Sequence, residues 1–145
     1  MQEKNVLAGV LIIDIIAFIC YIIFPSGLLY FGDLQMIIGC IVGTRFTLRN
    51  IKPNQSFFVN GILVGLGGSI LAGISYTMFD WVYFLGILSA SPFTVLMTFE
   101  YYFIEAIIIG LLFGVFISYY YNYKHKINVK ASAKDEKLLE SLVDQ

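Results

Sequence analysis

The chain has 145 residues, of which 59% are hydrophobic and only 13% are charged, and its formal net charge is −1. Soluble domains are on average about 45–50% apolar and about 25% charged, so this composition indicates a protein that is largely surrounded by lipid. A nearly neutral chain lacks the basic excess that nucleic-acid binding requires, and we expect no nucleic-acid partner. The sequence therefore predicts an all-α, multi-pass protein of the cell membrane.

The predicted elements follow from the apolar runs of the sequence. A helix needs about 20 apolar residues to cross about 30 Å of hydrocarbon, and four segments reach or approach this length. We expect them to form two helical hairpins in one transmembrane domain, followed by a cytoplasmic tail that is partly helical or disordered. The predicted spans are about 6–24, 28–48, 57–78 and 92–121, and the domain and the tail cover 1–123 and 124–145.

Glycines recur at intervals of four residues in the second, third and fourth predicted spans, which places small side chains in a stripe along each helix. Helices in lipid associate through close packing, and a smooth stripe allows two backbones to approach each other. The glycines that we expect at contacts between helices are Gly39, Gly43, Gly61, Gly65, Gly68, Gly73, Gly110 and Gly114.

These stripes allow two interpretations. They pack the helices of one chain against each other, or one glycine face holds two copies of the chain together. Both interpretations predict that Gly65→Leu disrupts the fold or the assembly, whereas Leu63→Ala does not. The similar stretches "IIGCIVG" at 37–43 and "IIGLLFG" at 108–114 also suggest that the two hairpins are a parallel repeat.

Residues 79–91 read "FDWVYFLGILSAS" and are apolar enough to suggest a fifth span. The positive charges argue against it, because with four spans all nine Lys and Arg residues lie on one side, and positive residues remain cytoplasmic. We therefore expect 79–91 to lie in the outer interface or to be re-entrant, and both termini to be cytoplasmic. Ser91 and Pro92 then begin the last span, because Ser caps helices and Pro fits the first helical position.

Two carboxylates are expected inside the membrane, Asp14 in the first span and Glu105 in the last. An acid at this depth costs about 2.5–3.5 kcal/mol on insertion scales and is a candidate for function. In a structural interpretation, Asp14 pairs with Arg45 and Glu105 bonds a hydroxyl group of a neighbouring helix. In a functional interpretation, Asp14 and Glu105 line a polar path for protons or cations. Glu100 then lies nearer the outer surface, and Arg45 lies toward the cytoplasm.

The tail, from Lys124 onward, has a second helical pattern. Ser132 and Asp135 resemble a loose capping box, which predicts the start of a short helix. This segment is either a frayed, solvated tail or an amphipathic helix that docks on a partner, the membrane surface or the bundle. The apolar stripe of that helix would consist of Leu138, Leu139, Leu142 and Val143.

The residue types that catalysis commonly uses are scarce. The sequence has a single histidine, His125, and its two cysteines, Cys20 and Cys40, lie in apolar runs. No spacing typical of a zinc site or a disulfide framework is present. We therefore predict a protein that is not an enzyme and that has no catalytic, cofactor-binding or metal-binding residues.

Two hypotheses for the function remain. The first is a scaffold or accessory subunit that packs through its glycine-rich faces with a second copy or another membrane protein, surrounded by membrane lipid. The alternative is a proton- or cation-coupled transport component that uses Asp14 and Glu105. Co-purification of a partner favours the first hypothesis, and a flux that depends on the two acids favours the second.

Overall fold

The computed structural model describes residues 2–24, 32–51, 56–85 and 91–143. Within these ranges the chain forms four α-helices and one short π-helical turn, which confirms the all-α prediction. The elements are α1 (Gln2–Ile23), α2 (Gly32–Arg49), α3 (Phe57–Asp80), the π-turn (Trp81–Leu85) and α4 (Pro92–Val143).

Three of these helices are long and apolar enough to cross a membrane, and they cover Lys4–Ile23, Phe57–Tyr83 and Pro92–Val129. Large apolar side chains such as Ile19 and Phe116 are exposed on the outside of the bundle. A surface of this kind is stable in lipid rather than in water, so the chain is a membrane helix bundle. Residues 28–31, with which the second predicted span begins, lie outside the described residues.

The helices begin where the sequence provides caps. Ser56 precedes α3, and its hydroxyl oxygen accepts a hydrogen bond from the backbone N–H of Val59 at 3.4 Å. Ser91 does the same for α4, because its hydroxyl oxygen lies 3.2 Å from the N–H of Thr94. Each cap satisfies an N–H group that has no partner within its own helix. The predicted start of the last span at Pro92 is confirmed.

The segment 79–91 begins as a continuation of α3. The helix extends past the predicted end at residue 78 to Asp80 and then changes into the π-turn. No Gly or Pro interrupts the chain between residues 74 and 85, so nothing in the sequence stops the helix earlier. The remaining part of the predicted interfacial or re-entrant segment, residues 86–90, lies outside the described residues.

Helix α4 is much longer than the sequence predicted. It has 52 residues, or about 78 Å at 1.5 Å per residue, and it continues through the predicted boundary near residue 121. The chain has no Gly or Pro after Gly114, and the tail is rich in Ala, Lys, Glu and Leu, which favour helix. The tail is therefore a continuation of α4, and no separate helix begins at Ser132.

Consecutive helices pack against each other. α1 contacts α2, and α3 contacts α4 along an extensive interface, while α3 also contacts α1 and α2, and α2 contacts α4. This is the arrangement expected of two helical hairpins joined mainly through α3. The buried core that results includes Ile13, Ala17, Tyr21, Met36, Cys40, Val64, Ala72, Tyr76, Tyr102, Ala106 and Ile109.

Glycines set the distance between α3 and α4. A Cβ atom added at Gly65 would lie 2.5 Å from the carbonyl oxygen of Gly110, and one added at Gly110 would lie 2.6 Å from that of Gly65. A Cβ at Gly114 would lie 2.8 Å from the carbonyl oxygen of Gly61. Real Cβ atoms essentially never approach another atom this closely, so the two backbones are in direct contact.

The pair α1 and α2 repeats this contact. A Cβ at Gly39 would lie 2.7 Å from the carbonyl oxygen of Ile13, and one at Gly43 would lie 2.6 Å from that of Gly9. In both of the similar stretches that the sequence contains, the two glycines therefore meet backbone carbonyls of the preceding helix. The equivalent contacts agree with a parallel relationship between the hairpins.

The remaining two predicted contact glycines also face other helices. A Cβ at Gly68 would lie 2.5 Å from the side chain of Ile13 in α1, and one at Gly73 would lie 3.2 Å from the carbonyl oxygen of Tyr102 in α4. All eight glycines chosen from the sequence are thus contact positions between helices of the same chain.

Candidate functional site

Three polar side chains from three helices meet at one end of the bundle. The hydroxyl of Tyr21 in α1 donates to Oδ1 of Asp80 at 2.6 Å, and the hydroxyl of Tyr102 in α4 donates to Oδ2 of the same carboxylate at 2.8 Å. The two hydroxyl oxygens are also 2.8 Å apart. With Tyr76, described next, these residues form what we call the tyrosine–aspartate cluster.

Aromatic rings enclose these hydrogen bonds. The ring of Tyr76 stacks on that of Tyr21 with centroids 4.2 Å apart and an interplanar angle of 15°. Tyr102 meets Tyr76 edge to face at 5.5 Å, and Phe79 meets Tyr21 in the same way at 5.9 Å. Such pairs stabilise the bundle beyond the apolar area that they bury, and they fix the direction of the two donating hydroxyls.

The local helix geometry explains why these groups converge. Tyr76 and Asp80 are four residues apart on α3 and therefore share one face of that helix. Tyr21 lies in the last turn of α1, and Tyr102 lies three turns into α4, so both reach the same level of the bundle. Sequence reasoning placed Asp80 at the headgroup layer and missed the cluster. The available signal was a tyrosine within an apolar stretch of three different spans.

The hydroxyl protons of the cluster lie in short hydrogen bonds. Each tyrosine hydroxyl has one proton, so two protons are shared among three short oxygen–oxygen contacts. The buried hydroxyl of Tyr76 has no hydrogen-bond partner among the described residues.

Asp14 is bonded to α3 rather than to an arginine. Its Oδ1 accepts a hydrogen bond of 2.8 Å from the hydroxyl of Ser75, and the side chain is half-buried. Within the described part of the chain no ion pair joins Asp14 to Arg45. The expected pairing is therefore not formed, because a serine on the adjacent helix supplies the donor instead.

The other three charged candidates do not converge on Asp14. Glu105 is half-buried on α4 and borders a shallow side pocket together with Tyr101 and Ile104. Glu100 is exposed one turn nearer the start of α4. Arg45 is exposed on α2 and lines a different groove, near the tyrosines of residues 119–123. These charged residues and Asp14 therefore occupy separate positions in the bundle.

The described residues contain no group of three His, Cys, Asp or Glu side chains that could hold a metal ion. Both cysteines are free thiols, Cys40 buried and Cys20 half-buried. Comparison with known proteins finds no family model, no curated protein and no solved structure that matches the chain.

Proposed function

We propose that this chain is a non-enzymatic scaffold or accessory subunit of the cell membrane, which crosses the bilayer four times and has cytoplasmic termini. The observation that carries the proposal is the length of α4, about 78 Å against about 30 Å of hydrocarbon. The helix therefore projects well beyond the bilayer. Its side chains from Tyr123 to Val129 are all exposed, and among them His125 still contacts the bundle, with its ring 5.5 Å from that of Phe57 in α3.

The tight bundle supports this proposal. Backbone contacts at Gly65, Gly110, Gly39 and Gly43 hold the helix pairs together, and Ser69 adds a hydrogen bond of 2.7 Å to a carbonyl group of α4. In lipid such contacts replace the hydrophobic effect as the source of stability. A rigid anchor that carries a projecting helix, which we call the α4 arm (residues 122–143), is suited to positioning a second protein.

The fourth span is assigned to α2. Its 18 residues extend about 27 Å, slightly less than the hydrocarbon thickness, and it contacts each of the other three helices within the bundle. Arg45 and Arg49 lie in its last two turns, from which arginine side chains reach the interface. With α2 inside the bilayer, all Lys and Arg residues lie on one side, which the positive-inside rule assigns to the cytoplasm.

Labelling of single cysteines tests this topology. Cys20 and Cys40 are first replaced by Ser, and Ser91→Cys, Ser56→Cys and Asn128→Cys are then compared in intact cells with a membrane-impermeant maleimide. We expect labelling at position 91 from outside, and at positions 56 and 128 only after permeabilisation. Labelling of position 56 from outside would show that α2 does not cross, and labelling of position 128 would invert the orientation.

Purification from native membranes tests the role as a scaffold. We expect the full chain to elute with another membrane protein, or a second copy, at a fixed ratio. A chain that ends at Tyr121 should keep its helical bundle in detergent but lose that partner, because the α4 arm is absent. Elution of the full chain as a stable monomer without a partner would contradict the proposal.

A second candidate function is supported by the carboxylates inside the bundle. Asp14, bonded to Ser75, and the half-buried Glu105 are polar positions of the kind that proton-coupled proteins use. Reconstituted in liposomes, such a component would conduct protons or cations, and Asp14→Asn and Glu105→Gln would each reduce the flux. Absence of flux from the intact chain, or flux unchanged by both substitutions, would eliminate this candidate.

A further inference from the structure

A groove lies between α2 and the part of α4 around the start of the α4 arm. Its volume is about 460 Å³, which lies within the roughly 300–1,000 Å³ typical of ligand sites. Ile41 and Phe116 line it with apolar surface, and Arg45, Tyr119, Tyr120 and Tyr123 line it with polar groups. We call it the Arg45 groove.

No residue that the structure describes neutralises the charge in this groove. Arg45 is exposed, and among the described residues no carboxylate oxygen lies within ion-pair distance of its guanidinium group. None of the described residues that line the groove is acidic. A guanidinium group at the edge of the hydrocarbon favours an anionic partner, and its planar set of N–H donors matches phosphate oxygens.

The apolar surface defines the rest of the ligand. Ile41 and Phe116 lie beside the charge, and Phe116 is 76% exposed to the side of the bundle that faces lipid. Free phosphate would satisfy Arg45 but would leave this apolar surface uncovered. A phospholipid satisfies both, with its headgroup at Arg45 and the upper part of an acyl chain against the apolar side chains.

The tyrosines complete the match. Tyr119, Tyr120 and Tyr123 are each more than half exposed, and Tyr is enriched at the level of lipid headgroups, where its hydroxyl meets polar groups and its ring meets acyl chains. Basic pockets between membrane helices are known to bind anionic headgroups. We propose that the Arg45 groove is a binding site for one anionic phospholipid, whose phosphate is held by Arg45.

Native mass spectrometry of the full chain tests this proposal. Protein purified in mild detergent is titrated with phosphatidylglycerol or with zwitterionic phosphatidylcholine, and the bound lipids are counted. We expect one phosphatidylglycerol bound in preference to phosphatidylcholine. Arg45→Gln should weaken this binding by at least about tenfold, which is the lower end of the effect of losing one hydrogen bond to a charged group.

Arg49→Gln is the matched control, because it removes the same charge from the same helix and Arg49 does not line the groove. We expect this variant to keep the affinity for phosphatidylglycerol within about twofold, a change of less than about 0.5 kcal/mol. An equal loss in both variants would show general attraction to a basic surface and would overturn the proposal.

Two further measurements distinguish a bound lipid from other occupants of the groove. Excess inorganic phosphate should not displace phosphatidylglycerol, because phosphate does not cover Ile41 and Phe116. Displacement by phosphate alone would show a simple anion site and would contradict the lipid assignment. A second copy that fills the groove would yield a dimer without bound lipid, and this result would also overturn the proposal.

Discussion

Gly65 and Gly67 offer a matched test of the contact between α3 and α4, because they lie two residues apart on the same helix. A Cβ at Gly65 would lie 2.5 Å from the carbonyl oxygen of Gly110, about 0.9 Å closer than ordinary contact begins. A Cβ at Gly67 would meet only the side chain of Val10, at 3.2 Å, which a small rotation relieves. The two alanine substitutions therefore differ mainly in the contact between the backbones.

The size of the effect follows from this difference. Each substitution stabilises the helix by up to about 1 kcal/mol, because Ala has a higher helix propensity than Gly. This gain is the same in both variants and does not contribute to the difference between them. Gly65→Ala must in addition separate α3 from α4, since neither backbone can rotate away, and overpacking of this kind costs about 1–3 kcal/mol. The same separation stretches the hydrogen bond from Ser69 to the Ala106 carbonyl group. We expect Gly65→Ala to be less stable than Gly67→Ala by about 1–3 kcal/mol.

Denaturant titration in detergent, followed by circular dichroism, gives the free energy of unfolding of each variant. The difference between Gly65→Ala and Gly67→Ala is then read directly. Leu63→Ala serves as a second control, because Leu63 is 54% exposed on the lipid-facing side of α3. It should leave the contact between the helices unchanged. Equal stability of the Gly65 and Gly67 variants would refute the inferred contact between the backbones.

Three other predictions concern the candidate sites and the α4 arm. Tyr21→Phe should destabilise the bundle by about 1.5–3 kcal/mol, because a hydrogen bond to the Asp80 carboxylate is lost. Unchanged thermal stability of this variant would contradict the hydrogen-bonded cluster. Ser75→Ala should lower the free energy of unfolding by about 1–3 kcal/mol, because the carboxylate of Asp14 loses its hydrogen-bond donor. An unfolding titration that shows no change would contradict this hydrogen bond. A chain that ends at Val129 should unfold at the same temperature as the full chain in a thermal scan, because it keeps Tyr123 and His125, which lie against the bundle. A clear loss of stability would show that residues 130–143 also pack against it.

The sequence predicted which faces of the helices make contact but not which helices those faces contact. Four-residue spacing identified Gly65 and Gly110 because it depends only on the period of the helix. Which backbone lies opposite depends on the rotation and register of two helices, and neither follows from one sequence. The contact between Gly39 and α1 was unpredictable for the same reason.

The tyrosine–aspartate cluster was missed for a related reason. Tyr21 and Asp80 are 59 residues apart, and Tyr102 is a further 22 residues along the chain. The aspartate follows an apolar run and precedes Trp81, a pattern that is also typical of the headgroup layer. The sequence likewise favoured Arg45 as the partner of Asp14 on charge alone. The structure instead places the hydroxyl of Ser75 closer, on an adjacent helix.

The length of α4 was underestimated because the aromatic residues at 119–123 and the lysines after them are a pattern typical of a membrane edge, which does not indicate where a helix ends. A membrane boundary and a helix end are set by different physics. The first depends on the polarity of side chains, and the second on the loss of backbone hydrogen bonds at a Gly, a Pro or a cap. Neither Gly nor Pro follows Gly114 in the sequence.

An unbroken α4 connects the two ends of the molecule mechanically. Tyr102, bonded to α1 and α3 near one end, is separated from Val143 by about 62 Å of continuous helix. A change of about 10° in the tilt of α4 at Tyr102 would displace the far tip by about 11 Å, as a lever of that length requires. A small rearrangement among the four oxygen atoms of the cluster that changed this tilt would therefore be amplified at the far end of α4.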